Sequence, residues 1–422
     1  MNDNINLVPP RLRDDCFAMP QGVSWIPVDT ALSRLRAALH PLAGVEKQPL
    51  SQALGRVLAA DAIAMRSNPP QPNSAVDGYG FARAATGEGV CTLPLVSGRA
   101  AAGLPFAGAV PPGMAVRILT GAALPEGVDT VVLEEDCAIG PGAIAFDGPV
   151  RPGANTRRAG EDVTQGALAL PAGHRMRAPD LALLAALGLT DLSLFRVLRV
   201  GILSTGDEIV SANAAPHQIY DANRPMLLGL VQGWGYHAVD LGHVRDDAGL
   251  IREHLDAAAQ SVDVVLTSGG ASAGDEDHVS RLLREEGTLS AWRIAMKPGR
   301  PLALALWHGV PVLGLPGNPV AALVCALIFG RPALSMLAGA GWPEPTAFTL
   351  AAGFSKRKKA GRREYLRARQ GSDGRAEVFA SEGSGRISGL SWATGLVELA
   401  DDAAEISPGD PVRFLPYSGF GL

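Results

Sequence analysis

The sequence is poor in residues that build covalent or metal-stapled frameworks. Its 422 residues contain four cysteines, Cys16, Cys91, Cys137 and Cys325, without a C-x-x-C pair. A disulfide framework or a zinc site is therefore not expected, and the predicted compartment is the reducing cytoplasm. No H-x-x-x-H pair, G-x-S-x-G elbow or P-loop lysine motif is present. Covalent nucleophilic catalysis and ATPase chemistry consequently have no support.

Long apolar segments and a strong excess of one charge are also missing. The longest fully apolar run, VAALVCALIF, is too short to span a bilayer, and the N-terminal MNDNINLVPPRLRDD lacks the apolar stretch of a signal peptide. Lys and Arg number 37 against 42 Asp and Glu, which gives a net charge of −5. This balance predicts no nucleic-acid partner and no membrane partner.

What the chain has in quantity is glycine and proline, with 50 and 32 residues, beside a hydrophobic fraction of 47%. The hydrophobic fraction allows substantial cores, and the glycines and prolines predict many loops, where binding sites are usually built. Helical spacing is present in SWIPVDTALSRLRAALHPL, and LSQALGRVLAADAIA is interpreted as a second helix that runs into a strand.

Changes in pattern along the chain predict a multidomain protein that combines α/β and all-β parts. From 196 to 341 strands and helices alternate, which is typical of a parallel α/β sheet. Short apolar runs between Gly and Pro clusters predict two β modules, the second of them a barrel or a sandwich. The expected segments are a flexible arm (1–22), a helical linker domain (23–65 with 159–195), an inserted β module (66–158), the α/β domain (196–341) and a C-terminal β-barrel (342–422).

Three strands of the α/β segment are followed by glycines together with polar or acidic residues. They are GILSTGDEIV, TSGGASAGDEDHV and GLPGNPV, the last with Asn318 as N-cap and Pro319 at the first helical position. Ligands of open α/β sheets bind at the carboxyl ends of the strands, where glycines allow close approach and free N–H groups suit a phosphate. The alternative is that the acids only cap helices and the glycines only make turns. Three such loops in one domain favour a site.

The acids in these loops cannot contact an anion directly, so a divalent cation is expected to bridge them to it. The sequence predicts Mg²⁺ held by Glu208 with Asp275 or Asp277. Ser268, Gly269 and Gly270 are expected to cradle a phosphate-bearing ligand.

Other motifs are ambiguous when taken one at a time. AMKPGRP presents Lys297 and Arg300 shortly after Arg293, and these cations could neutralise an anion. NSAVDGYGF is interpreted locally as a surface turn that carries Asp77, and NTRRAGEDV as a salt-bridged loop. SKRKKAGRRE could bind anions, but a solvated hairpin loop is the favoured interpretation.

Taken in order, however, the motifs resemble those of one family. NSAVDGYGF, ILTGAALPEGVDTVV, RRAGEDV, GILSTGDEIV, TSGGASAGDEDHV, KPGRPLALA and GLPGNPVAALV closely resemble the molybdopterin molybdenumtransferases, which include the bacterial MoeA proteins and the E domain of gephyrin. GRREYLRAR and GSGRISGLSWATGLVEL extend the likeness into the C-terminal segment, so it covers nearly the whole chain beyond the arm.

The resemblance implies the last step of molybdenum cofactor assembly, in which molybdate is inserted into adenylylated molybdopterin with Mg²⁺ and AMP is released. It implies an elongated homodimer whose site lies between the molybdopterin-binding α/β domain of one chain and the β module of the other. Molybdopterin adenylyltransferase and recipient molybdoenzymes are the expected further partners.

By position, the resemblance implies catalytic roles for Asp77, Glu208, Asp277, Lys297 and Arg293. It places substrate-binding residues on the β module, the hinge and the strand-end loops. These are Thr120, Arg157, Asp162, Ser204, Thr205, Gly206, Asp207, Asp246, Ser268, Gly269, Gly270, Ser272, Gly274, Arg300, Pro316, Gly317, Asn318 and Pro319. The chain departs from the family at Arg293 and Arg300, where lysine is usual, and at Val76, where methionine is common.

Two other functions compete with the transferase. A molybdopterin adenylyltransferase shares the SGG…GD loop but resembles only about 196–340, so it does not account for the β modules. A non-catalytic scaffold is the rival from another class, and the retained acids and Lys297 count against it.

Overall fold

The structure is a computed structural model that describes residues 25–269, 278–299, 301–383 and 385–422, with the backbone alone for 289–292 and 301. The chain divides into two compact units. One is Val45–Leu194, and the other combines Phe195–Leu422 with the residues up to Gly44. The finer division into five segments stays a prediction, and the arm 1–22 lies outside the described residues.

The unit Val45–Leu194 is built around a six-stranded sheet. Its strands in spatial order are Thr130–Leu133, Gly78–Phe81, Ala115–Ile118, Gly89–Ala100, Ala143–Gly148 and Ala138–Gly140. Apolar side chains such as Tyr79, Phe81 and Phe146 form its core. Three ribbons complete the strands: Val45–Pro49 with Asp191–Phe195, Ala62–Ile63 with Leu168–Leu170, and Asn73–Ser74 with Thr156–Arg157. The helices are Ala178–Ala186 and the 3₁₀ turns Leu50–Gln52, Arg83–Ala85 and Glu134–Asp136.

The helix expected over LSQALGRVLAADAIA is wrong. Only the 3₁₀ turn Leu50–Gln52 forms there, followed by turns and the strand Ala62–Ile63. Gly55 has a φ of +75°, which ends a right-handed helix, and Leu58 makes a β-bridge to Leu194. Distant pairing therefore overrides the local helical pattern.

The second unit begins with the helix Val28–Ala38, as the sequence predicts, and contains the α/β sheet. Its strands are β1 (Arg199–Thr205), β2 (His237–Val244), β3 (Val264–Ser268), β4 (Thr288–Arg293), β5 (Pro301–Trp307) and β6 (Val310–Leu315). The helices between them are α1 (Asn223–Gly233), α2 (Ala248–Ser261) and α3 (His278–Glu285), and α4 (Pro319–Cys325) follows β6. A short parallel ribbon, Ile209–Val210 with Ile219–Tyr220, lies beside them.

The spatial order of this sheet is β2-β1-β3-β6-β5-β4. The first four strands are parallel, which confirms the α/β prediction for this part of the sheet. Strand β5 is antiparallel to β6 and β4 is antiparallel to β5, so the sheet is mixed; neither strand was predicted from the sequence. Apolar side chains from both faces of the sheet are buried.

The helix α4 continues through a π-helical turn, Ala326–Gly330, into the helix Arg331–Leu337. The whole segment Pro319–Leu337 is long and apolar enough to cross a membrane. However, 89% of its most apolar window is buried inside the structure. This is the behaviour of a core helix, and it agrees with the sequence-based expectation that no segment spans a bilayer.

The C-terminal part is rich in strands. One sheet has the order Met296–Lys297, Arg363–Gln370, Gly395–Leu399, Pro411–Pro416 and Phe348–Ala351, and Ala376–Val378 pairs beside Arg363–Gln370. A two-stranded ribbon joins Lys356–Lys358 to Ala404–Ile406, and the short helices are Ser388–Trp392 and the 3₁₀ turn Tyr417–Phe420. The predicted β-barrel stays a prediction. The strand Met296–Lys297 pairs in parallel with Arg363–Gln370, which brings Lys297 to the C-terminal sheet.

Candidate functional site

The carboxyl ends of β1, β3 and β6 meet at one edge of the α/β sheet. Ser204 and Ser268 are register partners on β1 and β3, and both are fully buried. A Cβ added to Gly269 would lie 3.0 Å from the carbonyl oxygen of Thr205, and one added to Gly317 would lie 3.8 Å from the Cα of Gly269. With a φ of +96°, Gly269 also has a backbone conformation that favours glycine. The three predicted strand ends therefore form one crevice.

Asn223, the first residue of α1, joins two of these strand ends. Its amide nitrogen donates to the Ser268 hydroxyl at 2.6 Å and to the carbonyl oxygen of Gly317 at 2.7 Å. The residue is 4% exposed, and its amide oxygen has no hydrogen-bond partner among the described residues. The sequence analysis missed Asn223. Its position at the start of NRPMLLGLVQGWG was the available signal, because polar residues at helix starts often face strand ends.

Asn318 has the capping role that the sequence predicts. Its side-chain oxygen accepts from the backbone N–H groups of Val320 at 3.0 Å and Ala321 at 3.2 Å, and Pro319 opens α4. Pro316 is buried, whereas Gly317 is exposed to the crevice.

Acidic side chains line the loop that follows β1. Asp207 accepts from the backbone N–H of Asp246 and from the Nε of Arg245, both at 3.2 Å, and these bonds lower its pKa. Partial burial raises the pKa of Asp246, and the negative charges of Glu208 and Asp207 add to the increase. The Glu208 carboxylate is exposed and lies over Gly206, where an added Cβ would be 2.6 Å from its Oε2. The loop is therefore a patch of mutually repelling carboxylates.

The predicted metal site is only partly within the described residues. Among residues 25–269, 278–299, 301–383 and 385–422, no three His, Cys, Asp or Glu side chains are grouped as a metal site. Asp275 and Asp277, the expected partners of Glu208, lie outside the described residues, as do Gly270, Ser272, Gly274 and Arg300.

Lys297 lines a cavity of about 160 Å³ between the Lys-Pro turn and the C-terminal sheet. Its Nζ lies 2.5 Å from the Oε2 of Glu382, and its side chain is only 12% exposed. Arg367 lies on the same wall, and Val320 of α4 also contributes. Since Asn318 is two residues before Val320, the cavity and the strand-end crevice both adjoin the first turn of α4.

Lys356 lies behind the cavity wall and is the second ammonium group at Glu382, which lines the cavity. Its Nζ is bonded to the other oxygen of Glu382 and lies 3.1 Å from the buried carboxylate of Glu364. Lys358, in the same strand, is 3% exposed and donates to three backbone carbonyl groups. The interpretation of SKRKKAGRRE as a solvated hairpin loop is therefore wrong. A solvated loop and a buried, charge-paired strand can have the same pattern of basic residues. Only the tertiary contacts distinguish the two.

Arg367 anchors the segment that carries Glu382. Its guanidinium donates to the carbonyl oxygens of Ser381 at 2.5 Å, of Gly383 at 3.3 Å and of Arg386. Burial lowers the pKa of Arg367. Burial acts to raise the pKa of Glu382, but the bonds from Lys297 and Lys356 outweigh it and lower the pKa overall. Glu382 is therefore ionised between two ammonium groups.

Asp77 and Thr120 lie together in the unit Val45–Leu194. One carboxylate oxygen of Asp77 accepts from the Thr120 backbone N–H at 2.6 Å and from its hydroxyl at 2.7 Å, and these bonds lower its pKa. Asp77 is exposed at the end of a bend over 75–77, in agreement with the surface turn that local chemistry favoured, and the buried strand Gly78–Phe81 follows it directly. Glycine is required at Gly78, because an added Cβ would lie 2.0 Å from the carbonyl oxygen of Val132.

The remaining candidate residues are exposed and dispersed. Asp162 accepts from the side chain of Asn68 at 2.9 Å, and Arg157 ends the ribbon strand Thr156–Arg157. In the NTRRAGEDV loop the backbone N–H of Arg158 donates to the carboxylate of Glu161 at 2.9 Å. Arg293 ends the edge strand β4 with an exposed side chain, outside the lining of the Lys297 cavity.

Comparisons with known proteins cover nearly the whole described chain. Family models match at residues 26–188 (MoeA N-terminal region, domains I and II), 201–336 (probable molybdopterin binding domain) and 349–417 (MoeA C-terminal region, domain IV). The molybdopterin molybdenumtransferase of Haemophilus influenzae is 34% identical over 93% of this chain and 98% of its own length. Molybdopterin molybdenumtransferase 2 of Mycobacterium tuberculosis is 34% identical over 86% of this chain and 93% of its own.

Solved structures agree with these relatives. The crystal structure of the molybdopterin biosynthesis MoeA protein from Pyrococcus horikoshii OT3 matches with a TM-score of 0.80 at 28% identity. The match covers 93% of this chain and 100% of that one. The likeness therefore extends over both units and not over the α/β sheet alone.

Proposed function

This chain belongs to the molybdopterin molybdenumtransferase family, and on that premise we propose that it inserts molybdate into adenylylated molybdopterin and releases AMP, the last step of molybdenum cofactor biosynthesis. The observation that carries the proposal is the position of Lys297. It lines a cavity, and the wall residue Glu382 joins it to a second lysine, Lys356; Val320 of α4 lines the same cavity. One ligand can thereby present its phosphates to the crevice while an oxyanion binds nearby.

The cavity has the chemistry of an oxyanion site. Lys297 and Lys356 point their ammonium groups at one position, and both side chains are nearly buried. Ammonium groups withdrawn from water bind anions more strongly than exposed ones do. We propose that molybdate binds here and that Lys297 also stabilises negative charge on the departing phosphate.

The strand-end crevice would hold the phosphates of the nucleotide-linked pterin. The glycines Gly269 and Gly317 let the strand ends pack closely without side chains between them, and the buried Asn223 keeps both strand ends in place. The Ser268 hydroxyl is then oriented by its bond to Asn223. Such preorganised polar groups bind a phosphate without the cost of rearranging at the moment of binding.

Magnesium dependence is part of the proposal. The described residues alone group no three acids as a metal site, but Glu208 presents an exposed carboxylate beside Gly206, and carboxylate oxygens are the ligands that a hard divalent cation prefers. Glu208 would hold Mg²⁺ together with the predicted ligands Asp275 and Asp277. The metal would supply charge neutralisation and polarisation of the phosphate groups.

Asp77 would act from a second copy of the chain. Its carboxylate is exposed and fixed on one oxygen by Thr120, which leaves the other oxygen to face a ligand. We propose a homodimer in which Asp77 completes the site of the other subunit and orients the attacking oxygen. The same proposal places the protein in the reducing cytoplasm. It names molybdopterin adenylyltransferase and the recipient molybdoenzymes as its further partners.

The first test is a reaction of purified protein with adenylylated molybdopterin, molybdate and Mg²⁺. AMP release and reconstitution of a cofactor-free molybdoenzyme are followed together, and both are expected to require molybdate. Lys297→Gln should abolish them, while Lys47→Gln, on the exposed surface of the other unit, should leave them unchanged. Transfer of AMP from ATP to free molybdopterin, without insertion, would instead indicate an adenylyltransferase.

The metal assignment has its own test. Glu208→Ala is expected to lose most activity at limiting Mg²⁺ and to recover part of it at high Mg²⁺, since one ligand of several is removed. Full activity of this variant at limiting Mg²⁺ would exclude Glu208 as a ligand. Glu253→Ala, at an exposed position on α2, is the matched control.

A further inference from the structure

Glu382 is an acid in a cavity that is otherwise suited to anions. Its two carboxylate oxygens contact different ammonium groups, Lys297 at 2.5 Å and Lys356. It therefore bridges the two lysines in the way that two oxygens of a tetrahedral oxyanion would bridge them. Nothing in the sequence motifs pointed to this residue.

Lys356 has a second counter-charge besides Glu382. Lys356 also lies 3.1 Å from Glu364, a carboxylate that is 2% exposed and is contacted by Arg362 as well. Glu364 thus remains as a permanent counter-charge for Lys356. Glu382 is 42% exposed, far more than either lysine, so it is the member of the cluster that water can reach.

Arg367 holds the backbone on both sides of Glu382, whereas among the described residues the Glu382 side chain is held by its two ion pairs alone. Arg367 binds the carbonyl oxygens of Ser381 and Gly383, the residues on either side. The segment has no helix or strand structure of its own at these positions. A change of side-chain rotamer would therefore withdraw the carboxylate without moving the loop.

We propose that Glu382 is an internal competitor for the oxyanion site: its carboxylate bridges Lys297 and Lys356 in the free protein and turns away when a tetrahedral oxyanion binds. Glu382 then sets the oxyanion concentration at which the cavity becomes half occupied. The inference rests on the proposed function, because it assigns the oxyanion to this cavity.

The size of the effect follows from the two contacts. Each partly exposed ion pair contributes a modest free energy, so the carboxylate is withdrawn in only a fraction of the free molecules. The apparent affinity for the oxyanion equals the intrinsic affinity multiplied by that fraction. Glu382→Gln should therefore bind oxyanions about tenfold more tightly, equivalent to about 1.4 kcal/mol. A competitor that leaves the site changes the affinity for every oxyanion by the same factor.

The experiment measures direct binding of tungstate and perrhenate, a dianion and a monoanion of the same tetrahedral shape, by calorimetry on the full chain. Glu382→Gln is expected to lower both dissociation constants about equally. Glu377→Gln, which removes one carboxylate of an exposed ion pair with Arg369 in the same sheet, should change neither. Glu382→Ala serves as a second variant in case the glutamine disturbs folding.

The other outcomes overturn the inference in distinguishable ways. Weaker binding by Glu382→Gln would mean that the carboxylate positions Lys297, and a much larger gain for tungstate would mean that it repels the ligand without leaving. Unchanged binding, with molybdate-dependent turnover intact, would refute the inference and leave the proposed function standing. No tungstate binding by any variant would refute both.

Discussion

Replacement of Asn223 by alanine tests the strand-end crevice most directly. The side chain is 4% exposed and donates to the Ser268 hydroxyl and to the Gly317 carbonyl oxygen. Alanine removes both donors while it keeps the helix α1, for which it is a good residue. The loss therefore falls on the connection between the ends of β3 and β6.

The cost can be estimated from the two hydrogen bonds. Each contributes about 1 kcal/mol net, and the buried acceptor groups left behind add to this, so the free energy of unfolding should fall by about 2–3 kcal/mol. For a unit of this size, that corresponds to a decrease of about 4 °C in the melting temperature. Because Ser268 also loses its orientation, transferase activity should fall more than tenfold.

The assay is urea unfolding followed by tryptophan fluorescence, since Trp234 lies directly after α1 and is nearly buried. Gln232→Ala is the control, because it removes an exposed amide from the same helix. Equal stability and activity of Asn223→Ala and Gln232→Ala would refute the role of Asn223. Loss of activity without loss of stability would show that the amide acts on the ligand and not on the strand ends.

Three further predictions concern charge and packing. Burial acts to raise the pKa of Asp263, but bonds from two arginines lower it to about 2 from 3.8, so the carboxylate stabilises the fold above pH 4 by about 2 kcal/mol and loses this as the pH falls through 2. Asp263→Asn should lower the free energy of unfolding at pH 7, measured by urea unfolding, by that amount and should converge with the wild type below pH 2. Equal midpoints at pH 7 would contradict this. Thr120→Val should raise the pKa of Asp77, measured by carboxyl NMR, whereas Thr120→Ser should not, and an unchanged value would show that the backbone bond suffices. Gly78→Ala should destabilise its unit by about 3 kcal/mol, because the new Cβ would meet the carbonyl oxygen of Val132 on the neighbouring strand. Limited proteolysis measures this, with Gly87→Ala as the control because its Cβ would enter open space. Equal resistance of the two variants to the protease would refute the clash.

Motifs whose meaning is local were predictable from the sequence. Asn318 before Pro319 specifies a helix start through bonds within one turn, and the structure confirms it. The alternation of apolar runs predicted β1, β3 and β6, and the parallel order of these strands necessarily brings their decorated ends to one edge. The crevice at Ser268 and Gly269 therefore follows from sequence pattern and the general geometry of parallel sheets.

Features that depend on pairing between distant segments were not predictable. The antiparallel strands β4 and β5 and the failed helix after Leu50–Gln52 were decided by tertiary partners. The sequence alone does not distinguish Asn223 from the other asparagines of the chain. Only its position between two strand ends in the fold does so.

By itself the sequence determined the family, the α/β pattern and the identity of Lys297 as a candidate anion-binding residue. Only the tertiary structure decided what surrounds that lysine. Lys356 and Glu382 lie 59 and 85 residues further along the chain, and the pairing of Met296–Lys297 with Arg363–Gln370 brings the C-terminal sheet against it. Burial then places Lys356 and Lys358, which are compatible with a solvated loop, behind a cavity whose charged lining residues are Lys297, Arg367 and Glu382. The physical reason is that desolvation and charge pairing are properties of the packed chain, and no short stretch of sequence contains them.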